Sequence, residues 1–214
     1  DDEGLYLDKN VGIGHTRLSI IDLSDAGHQP MISEDNRFII SYNGEIYNYI
    51  ELRQVLKNNF SFKTNTDTEV LLNSYIKWGK ACLDKLNGMF AFVIYDKKTK
   101  NIFGARDRYG IKPLYYYSDN NLFAFSSEIP PLLNILKSRK EPNKSVIFDY
   151  LAFNRTDHTE NTFFDKINKI QHGHYFEIKQ NKISFNRWYD LNKKNDGYCS
   201  TTNFNELFDS AIKL

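Results

Sequence analysis

The sequence predicts an α+β domain, on three observations. The apolar run Phe38 to Ile40 reads as a buried strand, and behind it Ile50, Leu52, Val55 and Leu56 recur at helical spacing. Thr64-Asn-Thr-Asp-Thr-Glu69 carries helix-start residues ahead of a second helical run with Val70, Leu71, Tyr75 and Trp78. From Asn87 onward, β-formers and turn dipeptides alternate as in a strand meander.

A chain of 214 residues fits one sizeable domain plus an appendage. Its 16 Phe and 14 Tyr supply enough large apolar surface for a real core. The net charge of +1, with both signs mixed along the chain, argues against a nucleic-acid-binding surface. Two cysteines, Cys82 and Cys199, make neither a disulfide framework nor a zinc cluster. Cys82, in the helical stretch ACLDKL, reads as a buried structural thiol. No apolar run is long enough to span a membrane, and the opening Asp1-Asp2-Glu3-Gly4 has no signal-peptide pattern. These features predict a cytoplasmic protein with no nucleic-acid or membrane partner.

Taken in order, Val11 to Ile21 mixes Gly with β-formers and reads as a strand, in which Gly12 and Gly14 suggest close approach of another backbone. Arg17 inside it requires an anionic partner, either structural or a substrate carboxylate. His15 reads as a hydrogen-bonded core residue, since no second metal ligand stands nearby at ligand spacing. Asp22 to Arg37 is a polar, Gly- and Pro-containing loop. Thr66 and Glu69 have capping-box spacing, which puts Asp67 in a first turn where the helix dipole favours a carboxylate. The sharper alternative is that Asp67 holds a substrate ammonium. Gly79 closes that helix, and Lys80 to Leu86 makes a further helical turn.

Met89 to Tyr95 and Asn101 to Ala105 read as paired strands, and Leu114 to Tyr117 with Leu122 to Ser126 as a hairpin. Ile129 to Leu136 and Val146 to Phe153 read as helices, and Gly173 to Ile178 with Ile183 to Trp188 as a late hairpin. Lys193 to Thr202 has linker composition, and Phe204, Leu207, Phe208, Ala211 and Ile212 mark an amphipathic helix. Residues 1–190 are thus expected to form one domain, and 191–214 a linker and the first helix of something further.

The stretch the rest is organised around is Ser41-Tyr-Asn-Gly-Glu-Ile-Tyr-Asn48. Between a strand and a helix, Asn43-Gly44-Glu45 is expected at the corner. Asn-Gly is a strong turn dipeptide. A side-chain amide beside a glycine N–H is also the equipment of an oxyanion hole, where donors meet charge developing during acyl transfer.

Five stretches in order, GHTRLSIIDLSDAGHQPM, SYNGEIYNYIELR, TDTEVLL, LNGMFAFVIYD and RDRYGIKPLYY, resemble the glutaminase domain of glutamine-hydrolysing asparagine synthetases. That domain is a class II glutamine amidotransferase with the N-terminal-nucleophile hydrolase fold. RLSIIDLS favours the asparagine synthetase branch, and FFDKINKIQHGHYFEI continues the likeness more weakly. The resemblance implies a four-layer α-β-β-α sandwich of largely antiparallel sheets. Its first strand and helix, and the nucleophilic cysteine, are expected ahead of Asp1, because DDEGLY is similar to the family just after its usual HRGP. Neither Cys82 nor Cys199 matches that nucleophile by motif, so this chain alone is expected to be inactive.

The resemblance further implies that Asn43 and Gly44 hold the oxyanion, that Arg17 grips the glutamine α-carboxylate and Asp67 the α-ammonium. It implies that Leu18, Ser19, Ile20 and Ile21 line the pocket, and that Glu45 lies close to the bound amine. Ammonia would pass to a C-terminal synthetase domain that uses ATP and Mg²⁺ to convert aspartate to asparagine. No cofactor or metal is expected in these residues, and a homodimer is compatible with the family. The alternatives are a non-catalytic module of a β-lactam-synthetase-type protein, or an amidotransferase with another acceptor.

Overall fold

A computed structural model describes residues 2–18, 21–22, 24–136, 141–193 and 201–213. A hairpin of β1 (Asp2–Asp8) and β2 (Val11–Arg17) comes first, followed by a short β3 (Met31–Ile32) and the long β4 (Phe38–Ile46). Helices α1 (Tyr49–Leu56) and α2 (Asp67–Trp78) precede β5 (Gly88–Asp96) and β6 (Asn101–Arg106). Then come β7 (Tyr115–Ser118), β8 (Phe123–Ser126), α3 (Ile129–Ile135) and α4 (Lys144–Phe153). The chain continues through β9 (Ile167–Lys169), β10 (His174–Lys179), β11 (Lys182–Arg187) and α5 (Thr201–Lys213).

Every strand pairing is antiparallel. The strands form a six-stranded sheet, β11-β10-β6-β5-β4-β3, a three-stranded sheet, β8-β7-β9, and the two-stranded β1-β2.

Strand alternation stacks these into layers. On β4, Phe38, Ile40, Tyr42 and Ile46 face the helices. With Phe90, Phe92 and Ile94 of β5 they pack on Leu52 and Leu56 of α1 and on Val70, Leu71 and Leu72 of α2. Burying each such side chain contributes roughly 1.5–3 kcal/mol.

The opposite face of the large sheet carries Ala91, Val93 and Phe176, which meet Leu114, Tyr116, Phe123 and Phe125 of the three-stranded side. Ile39 and Tyr95 on that face meet Ile13 and Tyr6 of the β1-β2 hairpin. Beyond the small sheet, Ala124 and Ile167 pack on Leu132 of α3. The order helix, sheet, sheet, helix is the four-layer arrangement expected. Its second β layer comes in two pieces, with Phe125 touching the clusters on both sides.

Several local expectations change. The first strand stops at Arg17 instead of Ile21, and residues 2–8, unassigned from sequence, pair with it throughout. The loop at 22–37 contains β3. The capping box is half formed: the Thr66 hydroxyl accepts from the Glu69 N–H. The Glu69 carboxylate reaches past Thr66, however, to the N–H groups of Lys63 and Thr64. Thr201 and Thr202 belong to α5 and not to the linker. Cys82 is fully buried as expected, and burial pushes its thiol up to about 12. Cys199 lies outside the described residues. No helix among the described residues is long and apolar enough to cross a membrane.

Candidate active site

Asn43, Gly44 and Glu45 are not at a strand-to-helix corner. They lie within β4, which runs on to Ile46, and the chain turns only at Tyr47-Asn48. Asn48 fixes that turn: its amide donates to the Lys85 carbonyl and its carbonyl oxygen accepts from the Asn87 N–H. Asn43-Gly44 is therefore neither a hairpin turn nor a helix entry.

What makes the segment unusual is its edge. In an antiparallel strand, successive N–H groups point alternately to the two neighbours. The Tyr47 N–H bonds to Asn87 on the β5 side, so the even-numbered residues of β4 point the other way, toward β3. There β3 ends, with Met31 opposite Ile40. Beyond that point the Tyr42 N–H donates to the Gln29 side-chain oxygen at 2.8 Å. The Ile46 N–H donates to Asp67 Oδ2 at 2.9 Å. The Gly44 N–H falls between these two, and no hydrogen bond among the described residues takes it up. Asn43, of opposite parity, projects its amide from the inner face that also carries Ile39 and Ser41.

Gly44 must be glycine here. A Cβ would run into the Met89 carbonyl oxygen and come within 2.8 Å of Phe90 Cα and of the Tyr42 ring.

These groups border a cleft of about 1080 Å³ between β2 on one side and β8 with α3 on the other. Arg17, Leu18, Ile21, Asn43, Gly44, Glu45 and Asp67 all line it, so residues fifty apart in sequence are brought together. Ser19 and Ile20 lie outside the described residues.

Asp67 opens α2, with its carboxylate buried. Oδ2 accepts from the Tyr42 hydroxyl at 2.7 Å as well as from Ile46. Burial raises its pKa, and the Tyr42 and Ile46 hydrogen bonds only partly oppose this. Arg17 is held differently. Its guanidinium donates to the Ser24 carbonyl at 3.0 Å and to the Asp22 carbonyl. Gly27 leaves it space, since a Cβ there would sit on the guanidinium, with Cζ at 2.6 Å. The Asp22 carboxylate accepts from the Ser24 hydroxyl and from the N–H groups of Ser24 and Asn65, which hold it down at about 2. This carboxylate thus ties the Arg17 loop to the start of α2.

Three cleft residues escaped the sequence reading as site components. Gln29 is buried and bonds the Tyr42 backbone through both ends of its carboxamide. Ser41 meets His15 Nδ1 at 3.1 Å, and burial keeps His15 below its ordinary pKa, with the nearby Arg17 charge adding to the effect. Lys112, in the RDRYGIKP loop, adds a cation at the cleft wall. That loop is drawn onto the sheet by Asp107, whose carboxylate accepts from the N–H groups of Phe90, Tyr109, Ile111 and Lys112. Only strand parity could have exposed Gln29 in the sequence, and parity needs the register.

A cleft with a cationic and an anionic side chain at its border, and amide donors beside them, has the equipment to hold a zwitterion and an oxyanion. Comparison with known proteins gives the family. Residues 1–189 match the glutamine amidotransferase domain family, and the chain belongs to it. The chain is 47% identical over 161 residues to a putative glutamine-hydrolyzing asparagine synthetase 2 of Methanocaldococcus jannaschii, covering 67% of this chain and 31% of that protein. It is 39% identical over 196 residues to the glutamine-hydrolyzing asparagine synthetase 1 of Bacillus subtilis, covering 91% of this chain and 30% of that one. This chain therefore spans about a third of the length of these relatives. Among solved structures, the glutamine phosphoribosylpyrophosphate amidotransferase of B. subtilis shares the fold. Its TM-score is 0.58 at 23% identity, covering 83% of this chain and 35% of that one.

Proposed function

We propose that this chain is the glutaminase domain of a glutamine-hydrolysing asparagine synthetase. In the full-length protein it would release ammonia from the glutamine side chain for the amidation of aspartate. The observation that carries the reading is the Gly44 N–H at the open edge of β4, which has no partner among the described residues, beside the Asn43 amide. Both border the cleft that Arg17 and Asp67 also line. The glutamine α-carboxylate is assigned to Arg17, whose loop carbonyls fix the guanidinium without neutralising it. The α-ammonium is assigned to Asp67, with Glu45 close by. A buried carboxylate with a raised pKa gains most from a cation, because the partner relieves the desolvation of its charged form.

A thiolate would add to the amide carbon, and the carbonyl oxygen would then take up negative charge between Asn43 and Gly44. The nucleophile is assigned to a cysteine ahead of Asp1, not to Cys82, whose buried thiol keeps its proton. ATP and Mg²⁺ are assigned to the synthetase portion of the longer protein. The cytoplasm is the compartment proposed.

The test is Asn43→Ala in the full-length enzyme. Glutamine-dependent turnover should fall by about 100- to 1000-fold, the usual cost of one oxyanion donor. Synthesis from ammonium should hold, because free ammonia bypasses the oxyanion. KM for glutamine should move little, since the interaction exists only in the transition state. Equal loss with both nitrogen sources would reduce Asn43 to a structural residue.

A further inference from the structure

We infer, on the glutaminase reading above, that Gln29 is a positioning residue for the oxyanion donors, acting as a side-chain rung of the β-ladder. The β3–β4 register pairs Ile32 with Ile39 and Met31 with Ile40, so two steps further on Gln29 stands opposite Tyr42. The main chain does not continue the ladder: β3 ends at Met31, and no backbone hydrogen bond joins residue 29 to Tyr42. The Gln29 side chain takes over at this point. Its Oε1 accepts from the Tyr42 N–H at 2.8 Å and its Nε2 donates to the Tyr42 carbonyl at 3.1 Å. A primary carboxamide presents the same donor and acceptor pair as a peptide group, so it completes the rung without the backbone.

This placement has a consequence for Gly44. A main-chain strand carried on past Gln29 in the same register would set residue 27 opposite Gly44 and offer its N–H a carbonyl. Pairing by a side chain stops after one rung. It holds β4 at Tyr42, immediately before Asn43, and leaves the next N–H open. Asp67 holds the other side at Ile46, so the donor is clamped two residues away in each direction. Gln29 is only 6% exposed, and a Cβ on Gly4 would collide with its carbonyl oxygen and come within 2.7 Å of the His28 ring. The β1-β2 hairpin thus presses Gln29 into place. Gln29 touches no reacting atom in this scheme; it fixes the strand that does.

The experiment uses the full-length enzyme with Gln29→Met, which keeps the length and removes both hydrogen bonds, and Gln29→Asn, which keeps the amide but is one methylene short. Misplacing a catalytic group by about 1 Å costs on the order of 100-fold. Gln29→Met should therefore lower glutamine-dependent kcat by about 10- to 100-fold with KM within about threefold. Synthesis from ammonium should be unchanged, and amide exchange at Tyr42 should speed up. Gln29→Asn should show the same pattern, and it decides the matter if the Met variant fails to fold. An unchanged kcat, a loss confined to KM, or an equal loss with both nitrogen sources overturns the positioning role. The parent enzyme and Asn43→Ala are measured beside them: a parent with no glutamine-dependent rate refutes the glutaminase reading, whereas an Asn43→Ala variant that keeps that rate refutes the oxyanion assignment, and the role of Gln29 falls with either.

Discussion

Adding one methyl group at Gly44 should cost both stability and catalysis, and the structure sets the size of each. The new Cβ would lie 2.8 Å from Phe90 Cα and from the Tyr42 ring, and closer still to the Met89 carbonyl oxygen. Carbon atoms settle at about 3.5 Å or more, so the shortfall is about 0.7 Å. The Met89 and Phe90 atoms are backbone, which cannot rotate aside, so β4 and β5 must part at this point. Overpacking of this kind costs about 1–3 kcal/mol, which for a domain of this size lowers Tm by about 2–4 °C per kcal/mol. Displacing the donor by most of an ångström should lower glutamine-dependent kcat at least tenfold.

Gly88 provides the control, because a Cβ there meets the Glu45 carbonyl oxygen and Ile46 Cα at 2.9 Å. Gly88→Ala strains the same ladder next to the Asp67-held end of β4, beyond the donors. Thermal melts of both variants, with steady-state rates in the full-length enzyme, should show similar losses of Tm and a larger loss of kcat for Gly44→Ala. A Gly44→Ala protein with unchanged Tm would refute the packing argument. Equal kcat losses in the two variants would refute the assignment of the donor to Gly44.

Two further outcomes follow from buried titratable groups. The Asp67 pKa is raised in the folded state, so its charged form costs stability as pH climbs from the ordinary carboxylate range through the raised value. Asp67→Asn should therefore be more favourable to folding, relative to the parent, at pH 7 than at pH 4, while KM for glutamine rises at least tenfold. Calorimetry at the two pH values would contradict this if the difference ran the other way. Cys82 is buried, with its thiol at about 12, so iodoacetamide at pH 8 should label it only in denaturant, and native labelling detected by mass spectrometry would sink the structural reading of that thiol.

The layers were legible because the sequence spells them by period. The even residues of β4, from Phe38 to Tyr42, are apolar toward the helices, and Leu52, Leu56, Val70 and Leu71 answer at helical spacing. The β1-β2 hairpin was half missed because its outward residues on β1 include Leu5 and Leu7, about 70% exposed, which blur the alternation. The site residues were legible only as motifs. Arg17, Asn43 and Asp67 could be picked out by residue type and resemblance, but the cleft that joins them depends on long-range pairing. Asn43-Gly44 was misplaced for a physical reason: a dipeptide that tolerates turns also tolerates a strand, and the pairing of Gly44 with Phe90 overrides the local preference.

The strand position of Gly44 suits the oxyanion role proposed for its N–H. A donor at a tight corner is held by a few local dihedrals, whereas one in a strand is held by its neighbours on both sides. β4 is paired with β5 from Phe38 through Ile46, so the Gly44 N–H inherits the rigidity of a six-stranded sheet. An unpaired strand edge normally invites another strand. Here the edge is interrupted on both sides of Gly44 by side chains, Gln29 at Tyr42 and Asp67 at Ile46, which occupy the rungs a foreign strand would need. Among the described residues, one N–H is left open and the flanking ones are blocked. A donor held in this way stays fixed as charge develops on its partner, and such preorganisation is what makes oxyanion stabilisation effective.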